Sequence, residues 1–254
     1  MDIIADSALI TAVLLVALRL GPLFVLTPVF GVPGIPVRVR VLLGIGLAAL
    51  LVTGLHVDTG AIPRSVEGLI VAALGELVIG AALAFGLLAA FGAFLYGGRL
   101  LDTQMGFAVS NLLDPISRVQ GPLLGTIFNL TAIAVFLAVD GHHLIIRGLA
   151  DSFSRFPPGR PITELGVGAV TAQFGVVFVN GLLLVAPAVV VLLLLDLALA
   201  VVARTMPQLN VFIVSLPLKI FVGLVVLALS ARYMLPVMRR TFDTLPGYWD
   251  RLLT

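Results

Sequence analysis

Asp196, Arg204, Gln208, Asn210 and Lys219 are the polar groups that stand out in this chain, because they occupy an otherwise apolar run that also holds Pro207 and Pro217. A catalytic group in such a place would need a nucleophile beside a base, or paired metal ligands. The chain offers neither, and it contains no G-x-S-x-G and no H-E-x-x-H. What these side chains can do is pair. A lysine at the centre of a bilayer costs roughly 2.5 to 3.5 kcal/mol, and a backbone gap at a proline finds no water there. One reading is therefore that the segment 205–223 packs against other protein. The other is a kinked spanning helix whose single Lys219 snorkels to the interface. Asp196, set in LLLLDLALA, calls for a donor such as Arg204 or Lys219.

A second constellation runs from residue 97 to 122, GGRLLDTQMGFAVSNLLDPISRVQGP. It mixes Arg99, Asp102, Gln104, Asn111, Asp114 and Arg118 with Met105, Phe107, Leu112 and Leu113. It is too greasy for an aqueous loop and too polar for a helix facing lipid. A loop buried in protein or facing a pore fits, with soft Met and Phe groups able to seal around a variable shape; an amphipathic interfacial helix is the alternative. His142 and His143 follow Asp140 and Gly141, which invites a metal. Neighbours at i and i+1 do not face each other on a helix, so no metal and no cofactor is expected.

The elements that must position these groups belong to a membrane protein. Hydrophobic residues make up 60% of the chain and charged residues 11%, too greasy a mixture for a soluble core. Uncharged windows at 77–98, 119–139 and 165–195 match or exceed the ~20 residues of a spanning helix. Weaker candidates lie at 8–30, interrupted by Arg19, at 41–55, and at 211–238, interrupted by Lys219 and Arg232, giving about six apolar segments and an all-α, polytopic fold. The first helix is expected from Ser7, as N-cap, to the pair Gly21 and Pro22; Pro28, Pro33 and Pro36 then forbid a regular helix. Pro63 is placed to open the next helix, where Gly75, Gly80, Gly86 and Gly92 favour close packing. The run 165–203 would reach ~58 Å as a helix, so either Pro187 kinks or breaks it or part of it leaves the bilayer under protein cover. With no cysteine there is no disulfide framework. Fourteen of the fifteen cations are Arg, spread along the chain with no long basic run, so no nucleic-acid surface is expected. The acidic start MDIIADS lacks the basic region of a signal peptide.

Five blocks carry a family resemblance: LRLGPLFVLTPVFGVPGIPVRVRVLL from Leu18, QMGFAVSNLLDP from Gln104, FLAVDGHHLII from Phe136, NGLLLVAP from Asn180 and ARTMPQLNVFIVSLPLKIFVG from Ala203. In that order they resemble the FliR family, membrane subunits of the flagellar type III export apparatus, and its injectisome counterpart. The resemblance implies a non-enzymatic core subunit of an export gate in the bacterial inner membrane, at the flagellar basal body, partly lifted out of the bilayer plane. It implies FliP-like and FliQ-like partner subunits, FlhB-like neighbours, membrane lipid around the gate, and unfolded proteins as cargo. It divides the chain into a FliP-like portion, 1–164, and a FliQ-like helical hairpin with a tail, 165–254. It assigns the channel plug to 104–116, with Met105, Phe107, Leu112 and Leu113 as its seal, and leaves Asp196, Arg204, Gln208, Asn210 and Lys219 to structural or intersubunit contacts. A secondary transporter with paired broken helices is the competing class, but 28–36 and 207–217 show no convincing internal repeat.

Overall fold

A computed structural model of the chain describes residues 2–31, 36–54, 62–107, 122–160, 165–206, 208 and 210–254, with backbone alone at 2–7, 211 and 212. Among the described residues all regular structure is helical. The helices are α1 (Asp2–Leu26), α2 (Val37–Gly54), α3 (Val66–Gln104), α4 (Leu123–Ala138), α5 (Gly141–Arg155), α6 (Val167–Thr205), α7 (Val211–Asp243) and α8 (Leu245–Leu252). Five of them are long and apolar enough to cross a membrane, or six spans if α4 and α5 count as one bent pair.

Two helix boundaries differ from those expected. α1 starts before Ser7 and continues through Pro22 to Leu26. Proline removes one helical hydrogen bond, and buried Leu20, Leu23 and Phe24 hold the turn around it. Beyond the helix end, the Thr27 hydroxyl donates to the Leu23 carbonyl at 2.5 Å, satisfying a group that the last turn leaves open. α3 begins after Ser65 and not at Pro63. The Ser65 Oγ accepts from the Gly68 N–H at 3.2 Å, the bond that makes serine a good N-cap.

Proline also fails to break the long helices. α6 runs 39 residues through Pro187, and α7 runs 33 through Pro217 and Pro236. In a greasy segment the helix is the conformation that satisfies nearly every backbone group, so losing one bond is cheaper than ending it. The polar residues Gln208 and Asn210 therefore lie outside the helices, exposed in the short connection between α6 and α7. A reversal between two helices exposes terminal carbonyls and N–H groups that polar residues tolerate; here the Asn210 carbonyl accepts from the Ile213 N–H at 3.1 Å.

The chain forms two compact units. The first contains Met1–Ala89, Asp140–Phe174 and Asp243–Thr254; the second contains Ala90–Val139 and Gly175–Phe242. In the first, α1 packs on α2, and α8 is fastened to α3 by the Tyr248 hydroxyl, which donates to the Ala82 carbonyl at 2.6 Å, and the Trp249 indole, which donates to the Leu83 carbonyl at 3.2 Å. The core of the second is aromatic. Phe91, Phe136 and Phe242 stack with centroids 5.0 to 5.6 Å apart, in the tilted and edge-on arrangements that aromatic quadrupoles prefer.

Candidate functional site

In the second unit, α6 and α7 are antiparallel neighbours. Asp196 lies nine residues before the end of α6 at Thr205, and Lys219 lies eight residues after the start of α7 at Val211, so the two come level. The Lys219 Nζ meets the Asp196 Oδ1 at 2.5 Å, with 23% and 37% of their side chains exposed. Lys219 thus has an interhelical carboxylate partner. Arg204, the other donor considered for Asp196, is exposed near the end of α6.

Two glycines show how closely the helices of this unit approach. A Cβ at Gly98 would collide with the backbone of Gly125 on α4, and one at Gly97 would lie 2.7 Å from the Gly181 carbonyl on α6. Asp102, buried near the end of α3, accepts from the N–H groups of Leu124 at 3.0 Å and Gly125 at 3.2 Å. A carboxylate on one helix thereby caps the first turn of another, where orphan N–H groups and the helix dipole both favour negative charge.

Of the four residues expected to seal a plug at 104–116, Met105 and Phe107 are described; Leu112 and Leu113 lie outside the described residues. Met105 is fully buried and donates its N–H to the Leu101 carbonyl at 2.8 Å, as a last turn of α3. Gly106 follows with φ +83°, a left-handed conformation in which any side chain would be strained. The Met105 side chain rests on α7. A Cβ placed on Gly223 would come within 2.7 Å of its Cε, 2.8 Å of its Sδ and 2.9 Å of its Cγ. Phe107 is half-buried.

The first unit holds a polar network not anticipated from the sequence, where Arg19 counted only as an interruption. Arg19, fully buried on α1, points its Nε at the Glu76 Oε2 of α3, 2.6 Å away. Its Nη1 donates to the Ser152 carbonyl at 3.0 Å and the Ser152 Oγ at 3.1 Å, and its Nη2 to the Phe156 carbonyl at 2.8 Å. The guanidinium also sits 4.6 Å from the centroid of the Phe153 ring. The Glu76 Oε1 accepts from the Gly159 N–H at 3.2 Å. The readable signal was one acid and one base set in apolar stretches, Arg19 with no other charge between Asp6 and Arg38 and Glu76 with none between Glu67 and Arg99, each too costly in lipid without a partner.

Asp140 immediately precedes α5, in a left-handed conformation with φ 57°. Contrary to the simple helical argument, the rings of His142 and His143 approach to 4.1 Å. One ligand atom from each of Asp140, His142 and His143 lies within 4.8 Å of the others, and all three residues are exposed. They stand at the N-terminus of α5, whose dipole opposes a bound cation.

Long helices with exposed apolar faces, and charges that pair or cap, define a polytopic helical membrane protein in which the polar groups join helices. The sequence matches the model of bacterial export proteins, family 1, over residues 10–245. It is 33% identical to the flagellar biosynthetic protein FliR of Bacillus subtilis over 241 residues, covering 92% of each chain. It is 30% identical to FliR of Escherichia coli over 227 residues, 89% of this chain and 86% of that one. The secretion system apparatus protein SsaT of Salmonella typhimurium is 29% identical over 163 residues, 63% of each chain. The chain belongs to this family of bacterial export proteins, as a type III export-apparatus membrane subunit. Its flagellar relatives match it over more of its length than SsaT does.

Proposed function

We propose that this chain is a core subunit of the flagellar export gate in the bacterial inner membrane, joining FliP-like and FliQ-like subunits, with an FlhB-like neighbour, around a channel for unfolded flagellar proteins. Residues 1–164 serve as the FliP-like portion and 165–254 as the FliQ-like hairpin and tail. The observation that carries this reading is the hairpin itself. α6 is 39 residues long, about 58 Å, against the ~30 Å of a bilayer core. Its outer side and that of α7 display Leu193, Leu194, Leu197, Phe221, Leu224 and Leu229. An apolar surface longer than the membrane is thick calls for protein neighbours, which supports a gate partly lifted out of the bilayer plane. Asp196, Lys219, Arg204, Gln208 and Asn210, at or near the turn end of the hairpin, are its contacts within and between subunits.

Within that assembly, 104–116 is the plug. Met105 and Phe107 with Leu112 and Leu113 form an apolar seal, which excludes ions by dewetting and yields to passing side chains. The function rests on no catalytic group, metal or cofactor.

Co-expression with FliP-like and FliQ-like subunits followed by native mass spectrometry tests the assembly. The expected result is a hetero-oligomer; a stable, monodisperse monomer that ignores those partners overturns it. Shortening 104–116 tests the plug, and should raise resting ion conductance in cells whose gate assembles to normal yield. A membrane as tight as before, around a gate lacking the loop, would assign the seal elsewhere.

A further inference from the structure

The contact between Met105 and Gly223 is local to the end of α3 and the middle of α7, and it lies beside the Asp196 and Lys219 pair. On α7, Leu216, Lys219, Ile220 and Gly223 recur at steps of three and four, so they share one face. That stripe is where α7 is covered; Leu218, Phe221, Leu224 and Val225 on either side are exposed. Gly223 lets Met105 lie directly against the helix backbone, and Leu216, two turns earlier, meets Gly106: a Cβ on Gly106 would fall 3.1 Å from the Leu216 Cδ1. Pro217 stands inside this stretch and removes the N–H that would bond to the Ile213 carbonyl, so the turn has one internal restraint fewer. The ion pair to α6 supplies an external one at the next turn.

From this geometry we infer that α7 carries a socket for the base of the plug, formed by Gly223 and Leu216, and that the Asp196 and Lys219 pair is the strut that holds the socket under Met105. The inference rests on 104–116 being the plug. It adds a device outside that loop. Met105 is the knob at the end of α3, and Gly106, in its left-handed conformation, ends that helix immediately after the knob. Closing seats a flexible, unbranched side chain on a glycine; opening withdraws it. Gly223, Asp196 and Lys219 are then positioning residues, acting on the seal through Met105.

The experiment uses the full gate in cells, reading resting ion conductance per assembled complex, with complex yield measured separately. Gly223→Ala places a methyl group against three atoms of the Met105 side chain and should raise conductance about ten-fold, the scale expected of a modest overpacking penalty. In the Met105→Ala background those three atoms are gone, so Gly223→Ala should add nothing. Lys219→Met and Asp196→Asn should each raise conductance, and the exchanged pair Asp196→Lys with Lys219→Asp should restore tightness. A socket role is overturned if Gly223→Ala leaves a normally assembled gate tight, or raises conductance equally in both backgrounds. A strut role is overturned if Lys219→Met lowers yield without any leak per complex, which is what mere structural pairing would do. Should Gly223→Ala prevent assembly, Leu216→Ala empties the other side of the socket and carries the same expectation. A gate with 104–116 shortened separates the two levels. If it is tight, the plug reading itself fails; if it leaks while Gly223→Ala does not, the socket alone fails.

Discussion

Replacing Arg19 by Met is the most decisive test of how the first unit is held. The side chains of Arg19 and Glu76 are 0% and 2% exposed, and their 2.6 Å contact is a pairing of full charges without water. Met matches the length of the arginine stem and removes the charge. It leaves the Glu76 carboxylate with the Gly159 N–H as its remaining neighbour in the network, and it strips the Ser152 and Phe156 carbonyls of a charged donor. Removing one partner of a buried pair typically costs 3 to 5 kcal/mol, because the other charge stays behind uncompensated. Against a total of about 5 to 15 kcal/mol for a typical domain, that is a large fraction.

The unpaired charge, not the lost contacts, is the source of most of that cost, and this makes a second variant informative. Arg19→Met combined with Glu76→Leu removes both charges and should recover most of the stability, since a buried pair and an apolar replacement differ little. Arg19→Lys keeps the charge but cannot reach Glu76, Ser152 and Phe156 together, so it should fall between. Denaturant unfolding of the purified protein in detergent, followed by far-UV circular dichroism, measures all three. If Arg19→Met unfolds within about 1 kcal/mol of the parent, or the double variant is no more stable than the single, the pair does not hold the unit as argued.

Two further outcomes follow from the packing. Asp102→Ala should cost about 1 to 2 kcal/mol through the lost cap on α4, and Asp102→Asn distinctly less, read as a shift in thermal unfolding. Gly80→Ala should destabilise by roughly 1 to 3 kcal/mol, because its Cβ would strike the Arg19 carbonyl, whereas Gly46→Ala, on α2 with open space around it, should be neutral or slightly stabilising; equal effects at the two would refute the close approach of α1 and α3.

Local features were legible in the sequence. Apolar length announced the long helices, and the need of Asp196 and Lys219 for partners followed from the cost of charge in lipid. The partner itself could be narrowed because both lie on one hairpin, level across its turn. Arg19 and Glu76 are separated by 57 positions and sit on helices whose adjacency no local pattern encodes, so the same cost argument named the need and not the answer. Proline misled in the other direction. The rule that it ends helices is learned where water can take up the freed backbone groups; at Pro22, where the first helix was expected to stop, the surroundings are apolar, and the helix continues to Leu26 as α6 and α7 continue through Pro187 and Pro217. Met105 could be singled out as soft and apolar, but its seat on Gly223 depends on a tertiary approach that sequence spacing does not reveal.

The charges of this chain fall into two kinds, and the difference bears on how an assembling subunit is built. Arg19, Glu76 and Asp102 are buried with their hydrogen bonds completed inside the chain. Asp196 and Lys219 are paired but remain partly exposed, on a hairpin whose second helix is almost wholly uncovered along its most apolar stretch, whereas the most apolar stretch of α3 is mostly buried. A buried pair that is already satisfied has nothing to offer a neighbour; its loss is felt as unfolding. A partly exposed pair on an apolar face loses its remaining water only when another surface covers it, and its electrostatic strength rises as that water leaves. Substitutions at Arg19 should therefore register in the isolated chain, and substitutions at Lys219 chiefly in the assembled gate. Measuring unfolding in detergent and complex yield side by side for Arg19→Met and Lys219→Met tests this separation: a Lys219 variant as unstable alone as the Arg19 variant would mean that the hairpin pair belongs to the fold and not to the face it leaves open.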